Sequence, residues 1–144
     1  MTLNVDILTP ERVVMQTQAD SVVVPAADGE LGIMQNHAPL LAQLQPGEIR
    51  LRRGADTEHF AVSGGFVEVK ANQVSVFAET AEMAKEIDVE RARQAAERAK
   101  EALRAPQSEV ALMEAEAALR RALARLKAYE AVRRRGEVPG HPVR

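Results

Sequence analysis

Leu3, Val5 and Ile7 alternate with polar neighbours, and the same period of two returns at Ile49 and Leu51 between Glu48, Arg50 and Arg52. Val67, Val69, Val74 and Val76 repeat it further along. Apolar side chains on every second residue turn one face of a strand to a core and the other to water, so these segments predict half-buried β-strands. Turn chemistry separates them: Thr9-Pro10, Asp28-Gly29, Gln45-Pro46-Gly47, Gly54-Ala55-Asp56 and Ala71-Asn72 are spaced for many short antiparallel strands. Gly64-Gly65, between two strand patterns, reads as a tight bend or bulge. The pattern predicts a small sandwich or barrel.

After Ala78 the period becomes helical. Asp88 can cap a first helix by accepting amide hydrogen bonds, and Val89, Ala92, Ala96, Ala99 and Leu103 then form one narrow apolar seam. Pro106 ends that helix, and Ser108 is placed to cap the next. In the second helix Leu112, Ala115, Leu119, Ala122, Leu126 and Tyr129 recur at heptad-like spacing, with Leu123 widening the stripe. Alanine at so many seam positions lets two helices approach closely but buries little apolar area, so the arm is expected to be weakly held. All eight glycines lie at or before Gly65 or at or after Gly136, which leaves the arm free of them. The expected division is a β + α chain: an N-terminal antiparallel β-sandwich at 1–84, a C-terminal two-helix antiparallel hairpin at 85–135, and a disordered tail at 136–144.

Composition narrows the function classes. The chain has 144 residues, 46% of them apolar, 28% charged and only 3% aromatic, so a large aromatic-lined pocket is not expected. Without cysteine there are no disulfides, thiolate zinc sites or cysteine nucleophiles. The opening residues MTLNVDILTP show no basic n-region or apolar h-region, and no apolar run approaches the roughly 18 residues that span a bilayer. The expectation is a cytosolic chain that meets a membrane only through a partner. Charge is uneven: residues 1–86 carry a net −6 and residues 87–144 a net +4, together −2. The two parts can attract one another, and a basic arm can also seek an acidic partner.

Catalytic patterns are absent. His37, His59 and His141 are scattered, with no metal-ligand spacing or nucleophile elbow, and neither a phosphate-binding P-loop nor a G-x-G-x-x-G run occurs. The basic residues Arg120, Arg121, Arg125, Lys127, Arg133, Arg134 and Arg135 could neutralise nucleic-acid phosphates. However, Glu109, Glu114 and Glu116 precede them on the same helix, an order that complements the helix dipole, and no aromatic platform accompanies them. A solvated charged face is the plainer reading. Asp88 and Arg91 stand three apart at a helix start, Arg98 lies one heptad further, and Arg121 and Arg125 are four apart on the second helix. If the helices fold back on each other these arginines can converge on a polyphosphate; an N-cap with ordinary surface arginines accounts for the same spacing.

The segments LNVDILTPERVV at 3–14, PAADGELGIMQNHAPLLAQLQPGEI at 25–49 and FAVSGGFVEVKANQVSVFAETAE at 60–82, followed by the two-helix arm, resemble the epsilon subunits of bacterial F-type ATP synthases over nearly the whole chain. The resemblance implies a flattened β-sandwich on the central stalk, bound to the gamma subunit and resting on the c-ring. Glu30 and His37 match the region that members present to that ring. It further implies a regulatory arm that lies folded on the sandwich or extends along gamma to meet the catalytic beta subunits and inhibit ATP hydrolysis. Some members bind ATP at the folded hairpin through an I/L-D-x-x-R-A motif, matched here by Ile87, Asp88, Arg91 and Ala92, with Arg98, Arg121 and Arg125 at corresponding places and Glu82 as a further candidate.

The implied protein is non-catalytic and needs no cofactor, with ATP as a regulatory ligand. It binds no nucleic acid and sits peripherally at the cytoplasmic face of the bacterial plasma membrane. The alternative is a free-standing scaffold whose basic arm binds an acidic protein or nucleic acid.

Overall fold

A computed structural model describes residues 2–134. The expected tail at 136–144, with His141, and the Arg135 that precedes it lie outside the described residues. Ten strands come first: β1 Leu3–Leu8, β2 Val13–Ala19, β3 Ser21–Ala26, β4 Gly29–Met34, β5 Leu40–Leu44, β6 Gly47–Arg53, β7 Asp56–Val62, β8 Gly65–Lys70, β9 Gln73–Ala78 and β10 Ala81–Met83. They are hydrogen-bonded in the order β10-β7-β6-β3-β5-β8-β9-β1-β2, with β4 on the free side of β3. The path bends at β3, which pairs with β6 through Ser21–Val23 and with β5 at Ala26. Strands on either side of the bend face one another and share one core, built from Leu3, Val5 and Ile7, Val22 and Val24, Ile49 and Leu51, Phe60 and the valines of β8 and β9. This is the β-sandwich expected from the alternation.

One pairing departs from the antiparallel expectation: β1 and β9 run parallel, Asn4 beside Gln73 through Leu8 beside Phe77. Parallel neighbours need a long connection between them, and here the connection is most of the sandwich. The β8–β9 hairpin turns on Ala71 and Asn72, with φ of 51° and 62°. These are the left-handed values that a two-residue turn needs to match strand twist. Gly65 marks the closest approach of two backbones, because a Cβ there would fall 1.9 Å from the Phe77 carbonyl oxygen, at a φ of +116°.

The arm begins after a 3-10 turn at Ala84–Glu86 and consists of α1, Val89–Arg104, and α2, Glu109–Arg134. Both sequence-predicted caps form: Asp88 accepts from the Arg91 amide at 3.2 Å and Ser108 Oγ from the Ala111 amide at 3.0 Å. The seam is buried at Ala92, Ala96 and Ala99 on α1 and at Ala115 and Ala122 on α2. Two expectations change. Leu123 does not widen the stripe, being 46% exposed; Ala124 and Ala128 are buried instead. Tyr129 does not complete the helix-helix seam but packs with Ala61, Ala84, Ile87 and Ala128. The cause is length: at 1.5 Å per residue, 26 residues run about 39 Å against about 24 Å for 16. The last turns of α2 overshoot α1 and lie on β6 and β7.

Candidate functional site

Where α2 crosses the edge of the sandwich it closes a cleft of about 340 Å³ lined by Ala61, Val62, Ser63, Thr80, Ala81, Glu82, Arg121 and Arg125. Its floor is the end of β7 and the approach to β10. The Ser63 amide donates to the Thr80 carbonyl at 3.2 Å, and the Thr80 amide donates to Ser63 Oγ at 3.0 Å. These bonds set β10 beside β7 so that Glu82 pairs in register with Ala61. From the helix side, Arg125 meets Glu82 in a hydrogen-bonded ion pair. Arg121 lies one turn earlier on the same helical face. With Glu82 set against Arg125, Arg121 adds an excess positive charge, which suits an anionic ligand.

Of the residues singled out from the sequence, the fold therefore brings Glu82, Arg121 and Arg125 to one cleft. Ile87 is buried in the apolar cluster that seats α2 on the sandwich. The exposed Asp88 serves as N-cap of α1, Arg91 is exposed, and Ala92 is fully buried in the seam. Arg98 lies elsewhere, in a cleft of about 430 Å³ between the helices, with Glu114 and six alanines. Glu30 and His37 stand beyond opposite ends of β4's central residues. Glu30 is a residue of β4, and Arg50 grips both of its carboxylate oxygens at 2.6 and 3.1 Å. His37 is in the loop after β4, with Nδ1 2.7 Å from the Ala38 carbonyl oxygen.

Two features escaped the alternation pattern. Glu48 and His59 read as outward polar residues of β6 and β7, yet they are only 5% and 8% exposed. Their outward face is the one that α2 covers, so a surface position in the strand became an interior position in the fold. His59 Nδ1 lies 3.1 Å from Glu48 Oε2, and Arg50 reaches the other Glu48 oxygen at 3.3 Å. Burial pushes the Glu48 carboxyl up, but hydrogen bonding and charge from His59 and Arg50 together outweigh it and hold the carboxyl below its ordinary value. Glu30 is likewise held low, first by its hydrogen bonds to Arg50 and further by the charges of Arg50 and of Lys127 on α2, against a push from burial. The second feature is an apolar row across four strands on the outer face: Val13 pairs with Leu8, Leu8 with Phe77 and Phe77 with Phe66. The two phenylalanine rings stack with centroids 5.0 Å apart. Val13, Phe77 and Phe66 remain 51%, 37% and 46% exposed, a contiguous patch of the kind that marks an interaction surface.

Comparison with known proteins shows the family. A family described as ATP synthase, Delta/Epsilon chain, beta-sandwich domain matches residues 2–84, and its long alpha-helix domain matches residues 85–130. The ATP synthase epsilon chain of Desulforamulus reducens is 52% identical over 94 residues, 65% of this chain and 71% of that one. Its counterpart in Synechocystis is 46% identical over 95 residues, 66% of this chain and 70% of that one. Among solved structures, a chain of the Euglena gracilis mitochondrial ATP synthase, described as OSCP/F1/c-ring, superposes with a TM-score of 0.76 at 23% identity, covering 91% of this chain and 81% of that chain. A chain of the Tetrahymena thermophila mitochondrial ATP synthase central stalk and c-ring does so at 0.61 and 17%, covering 90% and 97%. At those identities the structural likeness speaks for the fold.

Proposed function

The chain belongs to the ATP synthase delta/epsilon chain family, and from that premise we propose that it is a non-catalytic central-stalk subunit whose helical arm is a brake on ATP hydrolysis, released by ATP. The observation that carries the regulatory part is the Glu82–Arg125 pair, which clasps α2 to the sandwich over a cleft that Arg121 also lines. Membership in this family replaces the alternative of a free-standing scaffold.

In this reading residues 1–84 are the rotor-binding unit. The Val13–Leu8–Phe77–Phe66 row supplies an apolar face for the gamma subunit, and the β4 region with Glu30 and His37 faces the c-ring. Residues 85–135 are the regulator. Folded, the arm is held by an alanine seam, the cluster around Tyr129 and the Glu82 clasp; extended, its basic second helix reaches the catalytic beta subunits. No helix among the described residues is long and apolar enough to cross a membrane, and the subunit is peripheral, at the cytoplasmic face of the bacterial plasma membrane through its complex.

ATP acts by population shift. Its phosphates are drawn to Arg121 and Arg125, so binding exchanges the Arg125–Glu82 contact for Arg125–phosphate contacts and adds those of Arg121. A ligand that gains contacts only with the folded hairpin favours that state by its differential affinity. Ile87, Asp88, Arg91 and Ala92 support the site by fixing the start of α1, and Arg98 joins only if the helices shift on binding. The test is calorimetric titration of ATP into the isolated subunit and its Arg125→Ala and Arg91→Ala variants, alongside hydrolysis by complexes carrying a chain cut before Ile87. Saturable binding lost in Arg125→Ala, with faster hydrolysis on truncation, is expected. Absence of binding removes the sensor, and unchanged hydrolysis removes the brake.

A further inference from the structure

Arg121 and Arg125 are the cations that line the nucleotide cleft, and both belong to α2. A ligand gripped by these two alone keeps the same contacts wherever α2 goes, and a ligand with equal affinity for two states shifts nothing. Holding the arm down takes a second grip, from the sandwich. Glu82 is the charged side chain lining the cleft on that side, and as a carboxylate engaged by Arg125 it has no hydrogen to give a phosphate.

Strand register brings a donor to the same wall. Ala61 is paired with Glu82 and Val62 with Ala81, so the next step along sets Ser63 opposite Thr80. Residues directly opposite in an antiparallel pair share a face, as do residues two apart in a strand. Thr80 therefore belongs to the side that carries Ala61 and Glu82, where α2 lies. Its backbone is fixed at both ends: the Ser63 amide donates to its carbonyl at 3.2 Å, and its own amide donates to Ser63 Oγ at 3.0 Å. Ser63 is only 8% exposed, which shields that anchor from water.

The Thr80 side chain is uncommitted. Thr80 is exposed, lines the cleft, and its Oγ1 makes no hydrogen bond among the described residues. Across the cleft Arg121 is exposed and in no ion pair among the described residues. Glu79, next to Thr80 in sequence, lines a different cleft with Phe66 and Phe77. A donor on a backbone already held in place gives up little freedom on binding.

Resting on the assignment of ATP to this cleft, we propose that the Thr80 hydroxyl donates to a phosphate oxygen of the nucleotide whose charge Arg121 and Arg125 hold from α2. The ligand then ties the arm to the sandwich in place of the ion pair it opens, and Thr80 is what makes its affinity depend on where the arm lies.

Calorimetric titration of ATP into the full chain and its Thr80→Val and Thr80→Ser variants tests this. Thr80→Val is expected to weaken binding about ten-fold, the loss of one hydrogen bond to a charged group, and Thr80→Ser to keep parental affinity. A purely structural role predicts the reverse order, because valine suits a strand better than serine does. Unfolding curves are expected to match the parent, since the hydroxyl has no partner within the fold. Hydrogen exchange at saturating ATP reads the tie itself: protection gained over the last described turns of α2 is expected to fall about ten-fold in Thr80→Val. Inorganic tripolyphosphate, which lacks the nucleoside, is expected to bind more weakly than ATP and to lose the same factor. No saturable ATP binding in the parent overturns the sensor reading, and this proposal with it. Binding lost in Arg125→Ala but unchanged in Thr80→Val, or equally weakened in both Thr80 variants, overturns this proposal alone. So does unchanged protection of α2, or tripolyphosphate that fails to bind or is indifferent to Thr80→Val.

Discussion

The sandwich and the arm bury very different side chains. Inside the sandwich the fully buried residues are phenylalanine, leucine, isoleucine and valine, contributed by strands from both sides of the bend at β3. Along α1 the buried residues are Ala92, Ala96 and Ala99, and on α2, among the described residues, only Tyr129 of the buried side chains is larger than alanine. A buried leucine or valine contributes about 1.5–3 kcal/mol, whereas an alanine methyl group contributes on the order of 0.8 kcal/mol. The two halves thus differ in how firmly they are held: one is a clamp with a dense core, and the other is a hairpin laid on it by small contacts, among them the Tyr129 ring and the Glu82–Arg125 ion pair. The proposed role, staying on a stalk while one part moves, makes use of this contrast.

The largest expected effect sharpens it. Phe60→Ala empties the centre of the sandwich and is expected to cost about 3–5 kcal/mol, measured by denaturant unfolding; Ala96→Gly in the seam is expected to cost about 1 kcal/mol and to leave the sandwich transition in place. Equal costs, or a single transition that moves as much in both variants, would break the contrast. Next comes Gly65→Ala, which drives a methyl group into the Phe77 carbonyl at a φ of +116°. A loss of about 3 kcal/mol is expected, with hydrogen exchange rising first in β8 and β9.

A smaller effect concerns the polar floor between the halves. Folded Glu48 and Glu30 titrate below their ordinary value of 4.5. Their contribution is therefore complete above about pH 4.5 and is lost as pH falls through the lower folded values. Glu48→Gln is expected to cost about 1–2 kcal/mol at neutral pH and to flatten the acid limb of the stability profile. Glu30 is half exposed, so its variant is expected to change that limb less. The smallest effect is a gain. Ala118→Leu fills the cleft between α1 and α2 and is expected to stabilise the folded hairpin by about 0.5–1 kcal/mol, seen as higher helix protection with unchanged sandwich stability and, in the complex, weaker inhibition of hydrolysis.

Much of the architecture was legible because periodicity and capping are local. The alternation at Leu3–Ile7, Ile49–Leu51 and Val67–Val76 located strands and their inward faces, and Asp88 and Ser108 located both helix starts. The seam was legible as far as α1 extends. Past that point the same heptad positions face a sheet, so Tyr129 found the sandwich while Leu123 stayed in water.

The candidate site was legible only in part, for the same reason. Arg121 and Arg125 were recognisable as a helical pair, but the meeting of Arg125 with Glu82, and the cleft all three line, depend on where α2 lies across β6 and β7. Spacing grouped Arg98 with them; the hairpin puts it in a different cleft.

By itself the sequence determined what each segment can form, because strand and helix periods, caps and turns act over a few residues. Only the tertiary structure decided which polar faces would be buried. Glu48 and His59 occupy outward strand positions like any other, and they became interior, paired and partly unsatisfied because a helix far along the chain, α2, lies across them.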